Sequence, residues 1–144
     1  MALDFLSPLH KASRQISVYL ESHTRELGVS PAEGHVLTYL RSYAPSPIGD
    51  LVRVFGLKQS TLTSMLDRLQ QSGFVRRETN PADRRSFLVQ LSEEGRELAD
   101  RLNGCLLALE DEIRQYLKPR DLEGFRAVMS AVEEVTRVRL REPG

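Results

Sequence analysis

The 144-residue chain is 40% hydrophobic and 28% charged, with 20 Lys and Arg against 20 Asp and Glu. That is the balance of one globular domain, and it excludes a disordered or fibrous chain and a uniformly basic nucleic-acid coat. No apolar run approaches the roughly 20 residues that span a bilayer. The opening stretch MALDFLSPLHKASRQ lacks the basic lead, apolar block and small-residue cleavage site of an export signal, and the lone cysteine, Cys105, excludes an internal disulfide framework. The expectation is a cytoplasmic protein forming a single compact unit with a helical extension.

In chain order, Leu9, Ile16, Tyr19, Leu20 and Leu27 recur at mostly helical intervals between Leu3 and Leu27, and Gly28 follows as a stop. The stretch SPAE at 30–33 reads as a capping box, with Ser30 as N-cap, Pro31 at the first helical position and Glu33 reaching back. It opens a second helix to about Tyr43. After the break APSP, Ser46 and Pro47 are expected to start a short third helix presenting Ile48, Leu51, Val52 and Phe55, ended by Gly56. Leu62, Met65, Leu66 and Leu69 then form the stripe of a fourth helix closed by Gly73. Two short amphipathic helices about a glycine turn are the sequence form of a helix-turn-helix.

The segments FVRRET, NPADRR and SFLVQLS follow, the last with period-two alternation, and predict a β-hairpin. Ser92 caps a long fifth helix carrying Leu98, Leu102, Cys105, Leu106, Leu109 and Ile113. Pro119 opens a sixth with Leu122, Phe125, Met129, Val132 and Val135. The fold class expected is mainly α with a small β-hairpin wing: a winged helix-turn-helix at residues 31–92, flanked by dimerisation helices at 1–30 and 93–144. Charge follows the same division. Residues 53–90 hold seven Lys and Arg against three Asp and Glu, whereas both flanks are net acidic. A basic centre between acidic ends points to one surface built for an anion.

On the fourth helix Ser60, Ser64, Asp67 and Gln71 stand opposite the apolar stripe, with Thr61, Thr63 and Arg68 on the flanks. Taken alone, this is also how an ordinary solvated face looks. Small hydroxylated side chains, however, let a helix lie deep in a major groove and bond base edges or phosphates. A basic hairpin beside such a helix reaches the adjacent minor groove, whose narrow walls attract arginine. Arg85 is the residue expected to enter it. Asp83 is expected to hold an arginine guanidinium in a fixed fork, and Arg76, Arg77 and Arg84 to meet phosphates. A solvated turn with a weak Asp–Arg pair is the plainer alternative.

From about Pro31 to Leu98, and above all in STLTSMLDRLQQSGFVRRETNPADRRSFLVQLSEEG, the chain resembles the MarR family of winged-helix transcriptional regulators. The family's wing pattern of Asp, any residue, Arg falls on Asp83, Arg84 and Arg85, and its leucine and glycine before the first strand fall on Leu69 and Gly73. The resemblance implies a homodimer whose first, fifth and sixth helices interlock, two recognition helices in successive major grooves of a pseudo-palindrome, and a wing arginine in the minor groove. It also implies a small ligand, held between dimer region and reading head, that weakens DNA binding.

Lys58 stands where a Ser or Asp N-cap is more usual, so the fourth helix is expected to start weakly capped or to offer Lys58 to a phosphate. The reactive first-helix cysteine of the family's peroxide sensors is absent, and Cys105 reads as a buried, inert thiol. His10, His23 and His35 are scattered singly, which argues against a metal site, and no cofactor motif is present. A small aromatic or carboxylate effector is expected between helices one, two and five, with Arg14, Tyr39 and Tyr43 as its candidate contacts. Two other classes remain for comparison. A winged-helix protein-interaction module would show exposed aromatic anchors, of which the sequence suggests none on the hairpin. An enzyme would need a nucleophile, metal or phosphate-loop constellation, which the sequence lacks.

Overall fold

The computed structural model describes residues 2–141, and over these the capping and glycine signals place the elements. In order they are α1 (Leu6–Glu26), α2 (Pro31–Tyr43), β1 (Ser46–Pro47), α3 (Ile48–Phe55), α4 (Gln59–Gln71), β2 (Val75–Asn80), β3 (Asp83–Leu91), α5 (Glu93–Arg114) and α6 (Pro119–Thr136). The capping box forms as expected: the Glu33 amide donates to Ser30 Oγ at 3.1 Å and the Ser30 amide to Glu33 Oε1 at 3.2 Å. Gly56 sits at φ 62°, in the left-handed region that a side chain resists, and ends α3. α1 starts at Leu6 rather than Leu3, leaving Leu3 and Phe5 exposed ahead of it.

Ser46 and Pro47 do more than the sequence reading assigned them. Pro47 is the N-cap of α3, which begins at Ile48, and the two residues also form β1, which lies antiparallel to β3 with Ser46 opposite Val89 and Pro47 opposite Leu88. The hairpin is thus part of a three-stranded sheet ordered β1-β3-β2. Ser46 is buried and its Oγ donates to the Tyr43 carbonyl at 2.6 Å, tying the end of α2 to the sheet edge. Pro47, with no amide to donate, is tolerated because β1 is an edge strand.

The core gathers Val36, Leu37, Tyr39 and Leu40 of α2, Leu51 of α3, the four stripe residues of α4, Val75, Val89 and Leu91 of the sheet, and Leu98, Ala99 and Leu102 of α5. Burying each of these leucines contributes about 2 kcal/mol relative to leaving it in water. Tyr39 packs its ring 4.7 Å from Tyr43 and edge-on at 5.6 Å to Phe55, and Arg141 lies over the Tyr43 ring at 5.2 Å. The start of α5 is locked to the turn after α4. Ser92 Oγ accepts from the Gly95 amide at 3.0 Å and donates to the Gly73 carbonyl, while the Ser92 amide donates to Phe74 O at 3.0 Å. Gly95 is required there, since a Cβ would stand 1.8 Å from the Phe74 carbonyl oxygen.

Beyond Leu102 the burial stops. α6 contributes no buried residue, and Phe125, Ile113, Tyr116 (90% exposed) and Val135 (82%) face solvent, as do Ile16, Val18 and Tyr19 of α1. The stripes read from the sequence on the first, fifth and sixth helices are present, but this chain by itself buries only the C-terminal part of α1 and the N-terminal part of α5 and none of α6.

Candidate nucleic-acid interface

α4 and the β2–β3 wing build one surface. The α4 N-cap is Lys58, which offers no side-chain acceptor, so the first amides of the helix are left to solvent or to an anion. Ser60, Thr61, Ser64 and Arg68 are exposed, and Thr63 and Asp67 are half-buried. At about 100° per residue the two flanks of this face differ. Arg77 of β2 reaches across to α4, with Nη2 2.5 Å from Asp67 Oδ1 and Nε donating to Gln70 Oε1 at 2.7 Å. The Asp67/Gln70 flank, which includes Thr63, therefore turns toward the wing; Thr61 and Arg68 lie on the far side.

This contact finds Arg77 paired within the protein rather than free for the phosphate expected of it. Its side chain is 23% exposed and already neutralised by Asp67. It is a clamp that fixes the angle between wing and helix, and Asp67, read from the wheel as an outward polar group, is its other jaw.

At the hairpin tip, Pro81 and Ala82 make the turn. The Ala82 amide donates to Asn80 Oδ1 at 3.0 Å, and the β2 register shifts between Thr79 and Asn80. Asp83 does not fork a guanidinium. Its Oδ1 accepts the backbone amide of Arg85 at 3.0 Å, a two-residue Asx-type bond that shapes the start of β3. The physical reason is reach: a short carboxylate bonds the amide two residues on more easily than the end of a long, solvated arginine. Among the described residues Lys58, Arg68, Arg76, Arg84 and Arg85 are exposed and make no ion pair, whereas Arg53 is engaged with Asp50 at 3.4 Å.

One aromatic on the wing stands out: Phe87 is 47% exposed on β3, although period two puts it on the same face as the buried Val89 and Leu91. The face is the expected one, but the core ends at Val89, so the wing does carry an exposed aromatic.

A cavity does lie between α1, α2 and α5, as expected, but its lining differs. Ser17, His23, Thr24, His35, Thr38 and Cys105 face it, together with Leu20, Leu102 and Leu106. Arg14, Tyr39 and Tyr43 do not. Arg14 is exposed on α1, Tyr39 is fully buried in the core with its hydroxyl lacking a hydrogen-bond partner, and Tyr43 is covered by Arg141. Desolvation lowers the His35 pKa below 6.5, although its side chain keeps a solvent-facing edge at the cavity. Cys105 is half-buried and reaches both this cavity and an open groove of about 450 Å³ along α1 and α5, so it is less enclosed than its place on the apolar stripe suggested. The helix crossing that makes the cavity has no sequence signal, since even at Gly34, which faces Thr24 and Leu102, a Cβ would meet only ordinary contacts.

No helix among the described residues is long and apolar enough to cross a membrane. Residues 29–87 match the MarR family model. The chain is 32% identical over 133 residues to the HTH-type transcriptional regulator PecS of Dickeya dadantii, covering 90% of this chain and 80% of PecS. Among solved structures, it superposes on an E. coli MarR mutant complexed with operator DNA with TM-score 0.75 at 25% identity, covering 88% of this chain and 91% of that one. It superposes on NadR in complex with 4-hydroxyphenylacetate with TM-score 0.80 at 17% identity, covering 91% and 93%. With a winged helix-turn-helix that presents a hydroxylated helix beside a basic wing, and with these likenesses in sequence and fold, the chain belongs to the MarR family of helix-turn-helix transcriptional regulators.

Proposed function

We propose that the protein is a homodimeric repressor that binds a pseudo-palindromic duplex operator. α4 enters the major groove, with Ser60, Thr61, Thr63 and Ser64 toward base edges, and Arg85 enters the neighbouring minor groove. Lys58, Arg68, Arg76 and Arg84 meet phosphates. Asp83 and Arg77 act indirectly, by shaping the wing and setting its angle. The observation that carries this reading is the hydroxylated face of α4 clamped at a fixed angle beside a wing with free arginines. Residues 31–92 then form the reading head, and residues 1–30 and 93–144 the dimerisation region. The solvent-facing stripes of α1, α5 and α6 support the partition, since a second copy is what such long apolar helices bury against. Repression follows wherever the operator overlaps a promoter, because the bound dimer excludes polymerase.

The α1–α2–α5 cavity is the proposed effector site, for a small aromatic or carboxylate compound, in keeping with the bound 4-hydroxyphenylacetate of NadR. It now holds about 20 Å³, room for one water. An aromatic guest must therefore part α2 from α5, across a junction that Arg41 and Asp100 also span at 2.6 Å. Parting these helices moves the reading head relative to the dimer axis and spoils the half-site spacing. Selection of duplexes from a random pool tests the reading. An inverted repeat with half-sites about one helical turn apart is expected, with binding weakened by Arg85→Ala. No enrichment at low salt by the refolded, ligand-free protein rejects it.

A further inference from the structure

We propose that Phe87 is a DNA-contacting residue, packing its ring against the deoxyribose of the strand that runs between the α4 groove and the wing groove; the inference rests on the DNA-binding reading above. A single exposed hydrophobic residue is ordinary on any surface, so exposure alone does not carry it. Position does.

In the β2–β3 register Val75 faces Leu91, Arg77 faces Val89 and Thr79 faces Phe87. Alternation puts these pairs on one side of the hairpin. The same side holds the buried Val75, Val89 and Leu91 at its base and sends Arg77 across to Asp67 and Gln70 of α4. β3 runs without a register break from Leu91 to Phe87, the last regular pair before the pairing shifts toward the tip. The order along this face, from base outward, is core and then Phe87.

Phe87 therefore looks into the concave angle between α4 and the wing, just beyond the clamp that sets that angle. When a helix occupies a major groove and the adjoining wing a minor groove, the backbone between the grooves passes through this angle. It presents phosphates outward and the apolar edge of the sugars inward. The free cations Arg76, Arg84 and Arg85 supply the phosphate contacts around it. An aromatic ring with nearly half its surface open is the matching partner for the sugar, and it has no acceptor or donor with which to read a base.

The experiment compares wild type, Phe87→Ala, Phe87→Leu and Arg85→Ala on the selected operator across a salt series, with thermal melting of each protein. A sugar contact is apolar, so Phe87→Ala should weaken binding about fivefold in each half-site, the share of a half-exposed phenyl burial, and so about 25-fold for the dimer, while leaving the slope of log affinity against log salt unchanged. Phe87→Leu should recover most of the loss. Losing a phosphate contact in each half-site would instead lower the slope by about 1.8, or about 0.9 per contact. Unchanged affinity in melting-competent Phe87→Ala overturns the inference and leaves the ring as an anchor for a protein partner; so does a loss that comes with a reduced slope. If Phe87→Ala does not fold, Phe87→Leu and Phe87→Thr decide by the same two criteria. Failure of the wild type to bind any duplex overturns the DNA reading itself, an outcome distinct from both.

Discussion

Removing the Arg77 guanidinium separates a clamp from a phosphate ligand. The group makes two hydrogen bonds to α4, one charge-assisted to Asp67 and one to Gln70, with side-chain exposures of 23% for Arg77 and 50% for Asp67. A fully exposed pair contributes under about 1 kcal/mol, and a hydrogen bond to a charged group about 1.5–3 kcal/mol. At intermediate exposure Arg77→Met, which keeps the stem and deletes the fork, should cost about 1–2 kcal/mol in urea unfolding at fixed protein concentration. A double-mutant cycle with Asp67→Asn should return about 1 kcal/mol of coupling. DNA binding gives the sharper contrast. As a clamp, Arg77 contributes by holding the wing angle, so Arg77→Met and Asp67→Asn should both weaken operator binding, with no change in salt slope. As a phosphate ligand held back by Asp67, it would be released in both protomers by Asp67→Asn, which would then tighten binding and steepen the slope by about 1.8, or about 0.9 per contact. Tighter binding by Asp67→Asn refutes the clamp.

Three further outcomes follow from the packing. Gly95→Ala drives a Cβ to 1.8 Å from the Phe74 carbonyl oxygen, a backbone clash that forces α5 off the α4–β2 turn; a loss of about 3 kcal/mol or more in unfolding free energy is expected, and a loss below about 1 kcal/mol would contradict the close approach. Tyr39→Phe deletes a buried hydroxyl with no hydrogen-bond partner, so stability should hold or rise by up to about 1 kcal/mol, and effector response should survive; a clear loss of stability would reveal a buried water bound to that hydroxyl. The lowered pKa of His35 makes its charged form more costly in the folded state than in the unfolded chain, where it titrates at 6.5. Its contribution is therefore complete above that value and lost as pH falls through it toward the lower folded value. His35→Gln should flatten unfolding free energy over that interval, and an unchanged pH profile would show that another group is responsible.

What was legible in the sequence is what neighbouring residues decide. Ser30 and Glu33 cap α2, Ser92 caps α5, Gly56 and Gly73 take positive φ, and the stripes on α4 and α5 bury the residues their periods name near the reading head. Ser46 and Pro47 show the limit: two residues have no period, and their strand exists only because β3, over 40 positions later, supplies the pairing. The site divides in the same way. The hydroxylated face of α4 is a property of one helix and could be read from a wheel. Whether an arginine on the hairpin is free or engaged depends on the angle between hairpin and helix, so Arg77 could not be told from Arg76 until Asp67 and Gln70 were placed beside it.

The same dependence explains why Arg14, Tyr39 and Tyr43 do not line the cavity found between α1, α2 and α5. A crossing of three helices can be anticipated from their order, but which side chains line it depends on their rotation about their axes. Tyr39 turned out to be core because α2 is enclosed along Val36, Leu37, Thr38, Tyr39 and Leu40, a run with no helical period at all. A helix buried on most sides erases the alternation that would have distinguished its pocket face from its core face. His35 and Thr38, which line the cavity, lie on just such a helix, where pattern is weakest and geometry decides.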